Sequence, residues 1–463
     1  MALTKVSFSM IDGAYLNVMD FGATGDGTTD DTAAIQAAIT YAEASATPPS
    51  AAPGIVGIYF PFGKYIITSA LAVTKSLSFV GEGHSEYSTG ARIIQNTTAT
   101  NHFTVTPIPA GCSVSWDNLT LTANGNGGSG GSCIYIGKSC NSVRIRDCTF
   151  GTPQSLAINL QGSDDVQIDG NLFDVSATNC ISLGTSTAAN VVSNCSITNN
   201  TFFQVSVKSI LLFNVTGVLI QGNRVYKNPS TSGDPIYFID GVNTLPYQIE
   251  NVIVSGNKFS DLDCLMVATS PKQLIISDNI VSGFGAGVGA TLSGIELTGA
   301  PENVSITGNV FSGSFDTQNF YDDSACSSFI ANTNISGNLF TNTAGAGAAL
   351  LCAKSIGVIA GNTFAGFTTP SVSESVATTG STFTPGTIAS LSSYTQNITV
   401  TSARQGDIIT LSPSGTVWPV PIGIQVVAYV SASNTVTFKY ENVTAGSIAV
   451  PSHDWIYTVS RSL

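Results

Sequence analysis

Positive charge is scarce in this chain. Sixteen Lys and Arg stand against twenty-nine Asp and Glu, a formal net charge of −13. Phosphate backbones are bound by clustered cations, so nucleic acid is excluded as a partner. An acidic surface also repels a polyanion, which favours a neutral glycan or one met by locally grouped cations. Long apolar runs are missing as well: no segment approaches about eighteen consecutive apolar residues, so no membrane insertion is expected. Met1–Gly13 lacks the basic start and apolar run of a signal peptide, and export by that route is not expected. No two cysteines stand in C-x-x-C spacing. The nine are odd in number and several fall at strand positions, which reads as buried, reduced thiols rather than disulfides or metal ligands. The three histidines, His84, His102 and His453, are isolated from one another, so neither a zinc site nor a histidine-centred mechanism is expected. No metal and no cofactor are anticipated.

What is present is Gly, Ser, Thr, Asn and Val, the composition of many short strands and turns. One short pattern, [I/V]-x-x-N-x-[F/V], recurs along nine coils, ending at Phe150, Phe173, Phe202, Val225, Phe259, Val281, Phe311, Phe340 and Phe364, with Cys148 in place of Asn in the first. A spacing of about 22 to 34 residues is that of one solenoid coil. Equivalent residues of stacked coils form ladders, so the Phe positions predict an interior aromatic stack. Asn171, Asn200, Asn223, Asn257, Asn279, Asn309, Asn338 and Asn362 predict an amide ladder at a tight turn, where Asn tolerates left-handed backbone geometry. The intervening alternation has period two, not 3.6. The fold expected is all-β: a right-handed parallel β-helix over residues 55–367, with insertions at Gly184–Asn194, Asn228–Gln248 and Ser312–Ser327.

An open solenoid needs covers at its ends. Residues 1–20 read as an N-terminal arm, and residues 21–54 as a capping helix leading into the solenoid. Asp30 and Asp31 supply N-terminal acceptors to that helix, and Ile35, Ala38, Ile39 and Ala42 supply an apolar stripe. Residues 368–395, rich in Thr, Ser, Gly and Pro, read as a linker. Residues 396–463 read as a small antiparallel β domain, with strands at Asn397–Val400, Asp407–Leu411, Ile424–Val430, Thr435–Tyr440 and Trp455–Val459.

The run Val18-Met-Asp-Phe-Gly-Ala-Thr-Gly-Asp-Gly-Thr-Thr-Asp-Asp-Thr-Ala-Ala-Ile-Gln36 resembles the opening signature of the pectate-lyase-like β-helix superfamily, and the chain is most similar there to bacteriophage tailspikes. In that superfamily the motif is a structural cap. The C-terminal segments Gln405-Gly-Asp and Asn434-Thr-Val-Thr-Phe resemble phage tail modules that support trimers or bind glycans. The resemblance implies a homotrimer docked to a phage tail or baseplate protein. It would be made in the host cytoplasm and carried on the virion tail, and would bind and depolymerise a bacterial surface polysaccharide, capsule or O-antigen. Hydrolysis with paired carboxylates is favoured. A lyase acting by β-elimination, and a tail adhesin that binds glycan without cutting it, remain alternatives.

Aligning the coils on the Asn ladder places Tyr135, Asn159, Ser182, Leu211, Tyr237, Met266 and Glu296 in one outward column. Glu296 is the only acid of that column. With Asp240 and Asp263 from the coils just before it, Glu296 forms the candidate catalytic set, since coils about 4.8 Å apart bring such acids into glycosidase range. The competing reading is solvated surface charge. Substrate-binding candidates are Tyr237, Asn159, Gln161, Arg224, Lys258, Asp261, Tyr321 and Asp322, with aromatic rings as sugar platforms and Arg224 and Lys258 as cations for an acidic sugar. Asp164-Asp165 resembles the paired Asp of polygalacturonases, but it stands in a turn, and neither a Gly-His-Gly nor an Arg-x-Lys accompanies it.

Overall fold

The computed structural model describes residues 15–45, 56–83, 90–106, 111–124, 131–137, 140–151, 155–174, 179–185, 191–203, 208–226, 237–241, 249–260, 262, 264–284, 294–313, 320–327, 330–342, 350–351, 355–366, 377–400, 403, 405, 407–413, 420–451 and 453–460. The chain divides into two compact units, residues 1–349 with 354–370 and residues 350–353 with 371–463.

The first unit is a right-handed parallel β-helix. Each coil runs through three sheets in turn. Ile249–Ser255 belongs to sheet 1, Lys258–Ser260 to sheet 2 and Cys264–Thr269 to sheet 3. Among the described residues sheets 1 and 2 hold thirteen strands each. Stacking begins earlier than the sequence suggests. Leu16 already pairs with Ile58, and Asp26 with Lys64, so the signature segment is itself a coil and α1 (Thr32–Ser45) is inserted after it. Ile35, Ala38, Ile39 and Ala42 of α1 are fully buried, as the helical stripe predicts. The Gln36 side chain donates to the Ala72 carbonyl (3.1 Å) and accepts from the Ala72 amide (2.8 Å). Ala72 lies in Leu71–Val73, the first strand of sheet 3, so this amide stands in for a preceding strand and blunts the edge.

The ladders explain why the coils stack in register. Phe150, Phe173 and Phe202 are parallel rings with centroids 5.0 and 4.8 Å apart, and Phe340 and Phe364 stack at 5.4 Å. Each ladder Asn from Asn171 to Asn338 donates its backbone N–H and a side-chain N–H to the Oδ1 of the next coil's Asn. The other side-chain hydrogen goes to a carbonyl of the preceding coil. For Asn257 the partners are Asn279 Oδ1 and Ile220 O, while its own Oδ1 accepts from Asn223. The left-handed position is not the ladder Asn, as the sequence suggests, but the residue before it. Gly170, Asn199, Gly222, Gly256, Asp278, Gly308, Gly337 and Gly361 all have φ between 55 and 67°. At Gly170 a Cβ would come within 2.6 Å of Asp147 Oδ1.

In the second unit, Ser393–Thr399, Thr435–Asn442 and Ile424–Ala432 form one antiparallel sheet, and Ala377–Phe383, His453–Ser460 and Ile408–Pro413 another. Val436, Phe438 and Tyr440 lie at the centre of its core. Residues 368–395 are therefore more than a linker: Ala377–Phe383 pairs along its whole length with His453–Ser460. Its Thr-rich run suits a pleated strand better than a flexible connection.

Candidate functional site

Sheet 3 is anchored by inward-facing apolar residues. Ile134, Ile158, Ile181, Ile210, Ile239, Met266, Ile295 and Tyr321 lie in register and are essentially fully buried. The residue after each points to the opposite face. The outward column is therefore Tyr135, Asn159, Ser182, Leu211, Asp240, Val267, Glu296 and Asp322. Tyr237 and Met266 do not belong to it. Tyr237 pairs with Lys208 and Cys264, and Met266 is interior. Ser182 and Asp240 are buried and the other six residues half-buried, whereas on sheet 2 Phe203, Arg224, Tyr226, Lys258, Ile280 and Val310 are well exposed.

Three carboxylates share this column. Glu296 and Asp322 occupy adjacent strands as direct register partners. Asp240 is two strands from Glu296, with Val267 between them. Neighbouring strands lie about 4.8 Å apart, so the first pair has roughly that spacing and the second about twice it. Asp322 is fixed by the Ser324 amide, which donates to its Oδ1 at 2.8 Å. Asp240 is 3% exposed and ion-paired through Oδ2 with Lys208, while its Oδ1 has no hydrogen-bond partner among the described residues.

The other sequence candidates are dispersed. Tyr321 is not a surface platform: it is 1% exposed, inward beside Ile295, and its hydroxyl donates to Asp323 Oδ2 at 3.3 Å. Asp322, expected to contact substrate from an inserted loop, is instead a strand residue beside Glu296. Asn159 lies in the column, and Gln161, half-buried, follows the same strand. Asp261 and Asp263 fall outside the described residues. Arg224 and Lys258 are register partners, both exposed, but on sheet 2 rather than with the acids. Beside them Phe203 and Tyr226, also register partners, expose 40% and 43% of their surface. Asp164 and Asp165 serve the turn: Asp164 accepts from Ser193 and Asn194, which holds its carboxyl below the usual range, and Asp165 pairs with Arg144.

Lys208 and the Phe203–Tyr226 pair escape the sequence reading. Lys208 is detectable only once Asp240 is known to lie one strand away. Among the described residues no group of three or more His, Cys, Asp or Glu is placed to hold a metal ion, and no helix is long and apolar enough to cross a membrane.

Two family models match the chain. Rhamnogalacturonase A/epimerase, pectate lyase-like, covers residues 15–228, and the right handed beta helix region covers residues 190–369. A probable glucan endo-1,3-beta-glucosidase of Arthroderma benhamiae is 41% identical over 68 residues, 15% of this chain and 7% of that protein. The chain thus spans only a small part of that curated relative. Among solved structures, DFA-IIIase from Arthrobacter chlorophenolicus A6, without its lid, superposes with a TM-score of 0.57 at 16% identity, covering 76% of this chain and 98% of that one. The tailspike of Pseudomonas phage phi297 has a TM-score of 0.49 at 12% identity, covering 96% and 99%. The likeness to DFA-IIIase is one of fold.

Proposed function

We propose that this chain is a phage tailspike that binds and hydrolyses a bacterial surface polysaccharide, capsule or O-antigen, using the acid row on sheet 3. The observation that carries this reading is the placement of Glu296 and Asp322, both half-buried, as register partners in one outward column with the buried Asp240. Two carboxylates about 5 Å apart suit a retaining glycosidase. Asp322, held by the Ser324 amide, attacks the anomeric carbon as nucleophile. Glu296 protonates the departing glycosidic oxygen, then takes a proton from the water that releases the sugar. Asp240, buried and ion-paired with Lys208, holds that cation beside the row. Tyr135, Asn159 and Ser182 continue the column as a polar track for further residues of the glycan. Assembly as a homotrimer on a tail or baseplate protein, acting at the bacterial surface, completes the proposal.

The test is incubation with a panel of capsular and O-antigen polysaccharides, followed by end-group analysis. New reducing ends are expected. Unsaturated uronates would replace hydrolysis by elimination, and unchanged polymer across the panel would sink the enzyme reading. Glu296→Gln and Asp322→Asn should each lower the cleavage rate by roughly a thousand-fold or more without loss of the folded solenoid. Normal cleavage by both variants would remove the site from sheet 3.

A second reading, a glycan adhesin that does not cut, is favoured by the sheet 2 surface. Two exposed rings, Phe203 and Tyr226, stand beside the cations Arg224 and Lys258, an arrangement suited to an acidic sugar. Loss of glycan binding in Phe203→Ala/Tyr226→Ala, with no effect of Glu296→Gln, would support it.

A further inference from the structure

The sulfurs of Cys112 and Cys140 lie 3.1 Å apart in adjacent coils, with the two residues 5% and 1% exposed. We propose that this pair is an oxidation site at which peroxide joins the two coils through a disulfide.

The geometry is set by the backbone. Cys112 immediately precedes the sheet 1 strand Ser113–Asp117, and Cys140 stands two residues ahead of the next sheet 1 strand, Ser142–Arg146. These strands pair in register from Ser113↔Ser142 to Asp117↔Arg146, and the ladder extends one step further back, where the Asn141 amide donates to the Cys112 carbonyl at 2.9 Å. That register sets Cys112 opposite Asn141 and Cys140 one residue along the diagonal, and about 4.8 Å between strands with about 3.3 Å along them gives a Cα separation of roughly 5.8 Å, inside the range of about 4.4–6.8 Å that disulfides span. Closing the sulfurs to bonding distance takes about 1 Å of side-chain movement. The contact also divides the labour between the thiols. The hydrogen bond between them holds the Cys112 thiol below its ordinary pKa and, with burial, pushes Cys140 above it, so Cys112 is the one that ionises first. Cys133, Cys180 and Cys195 are raised by burial alone and have no such activation.

The chemistry balances with hydrogen peroxide as oxidant. The Cys112 thiolate attacks one peroxide oxygen, the O–O bond breaks and hydroxide leaves, which gives a sulfenic acid. The Cys140 sulfur then displaces that oxygen, the S–S bond forms, and its proton leaves with the oxygen as water. Two thiols and one peroxide become one disulfide and two waters. A compartment poised by glutathione or thioredoxin keeps the pair open, and an oxidising exterior closes it. The product ties together residues 28 apart in sequence, so that coils held by hydrogen bonds and packing become covalently continuous at that corner.

The experiment uses the full chain, treated with dilute hydrogen peroxide under native conditions, quenched, then unfolded in guanidinium with iodoacetamide. Peptide mapping is expected to show Cys112 and Cys140 linked, with the mass of two hydrogens lost and both absent from the alkylated set. The oxidised protein should melt at a higher temperature than the reduced one, and Cys112→Ala and Cys140→Ala should each abolish both the link and the shift. Because buried Cys→Ala changes lower stability by themselves, the comparison is made within each variant before and after peroxide. Recovery of both cysteines alkylated, Cys112 carried to sulfinic acid without a link, or a link between other cysteines would each overturn the proposal.

Discussion

At the scale of single residues, the ladder asparagines do more than mark turns. Asn257 makes four side-chain hydrogen bonds in a fully buried position, and Ala in its place strands the backbone N–H and a side-chain N–H of Asn223 and takes a donor from the Ile220 carbonyl. Asn257→Ala is expected to cost roughly 3–5 kcal/mol, read as a lowered urea midpoint. Asn257→Asp restores the acceptor but not the donors and should fall between the two. His102 gives a pH signature. It is fully buried, its Nε2 donates to the Thr122 carbonyl at 2.6 Å, and burial pushes its pKa from 6.5 down to about 4. The folded protein holds this ring neutral while the unfolded chain protonates it near 6.5. Its contribution is complete above pH 6.5 and is lost as the pH falls toward about 4, by roughly 3 kcal/mol in all. Denaturation across that range should show the loss in the native protein and a flatter profile in His102→Gln.

At the scale of strands, a single choice of anchor decides what is legible. The Asn and Phe ladders are plain in the sequence, and so are the helical stripe of α1 and the strand segments of the second unit. The acid row is only partly so. Counting forward from the ladder position works where the connection to sheet 3 keeps one length, as for Asn159, Ser182 and Leu211, and fails where it changes, at Tyr237 after the long insertion that follows Asn223 and at Met266, whose connection is one residue shorter. Anchoring instead on the inward residue of Cys-Ile-Tyr, Ala-Ile-Asn, Cys-Ile-Ser, Ser-Ile-Leu, Phe-Ile-Asp, Leu-Met-Val and Gly-Ile-Glu brings Asp240 directly into the column of Glu296. Interior packing keeps that residue apolar however long the preceding loop is, so it preserves register where loop length does not. Asp322, read from the sequence as a substrate contact, has its place in the row hidden for another reason: its strand, Tyr321–Asp322, is two residues long and carries no alternation to read. The strand holding Asp240 also carries a stability test. Lys208→Met leaves a buried carboxylate between Leu211 and Val267 and should cost about 3–5 kcal/mol. Lys208→Met/Asp240→Leu should regain most of that loss, with thermal melting as the measurement.

At the scale of the whole molecule, the first unit is a column of near-equivalent joints, in which each coil leans on the coil before and the coil after. Its sheets present different surfaces, a recessed acid row on one and exposed rings with cations on another. The glycan proposed as substrate is a linear polymer, and a linear array of coils is a natural register against which to lay it.

The asparagine ladder has one more consequence. From Asn171 to Asn362 each joint is made by the same amide, in the same direction, so the chain can be cut and spliced at that amide as at a standard coupling. Excising residues 172–200 joins Asn171 to Thr201, the residue already opposite Leu172 in the native sheet. The shortened protein should keep its β-rich circular dichroism and a cooperative melt, whereas an excision of equal length that starts mid-strand should not. A molecule assembled with one interchangeable coupling can gain or lose reach along its axis by whole modules, and so its length is a variable open to descent rather than a fixed property of the fold.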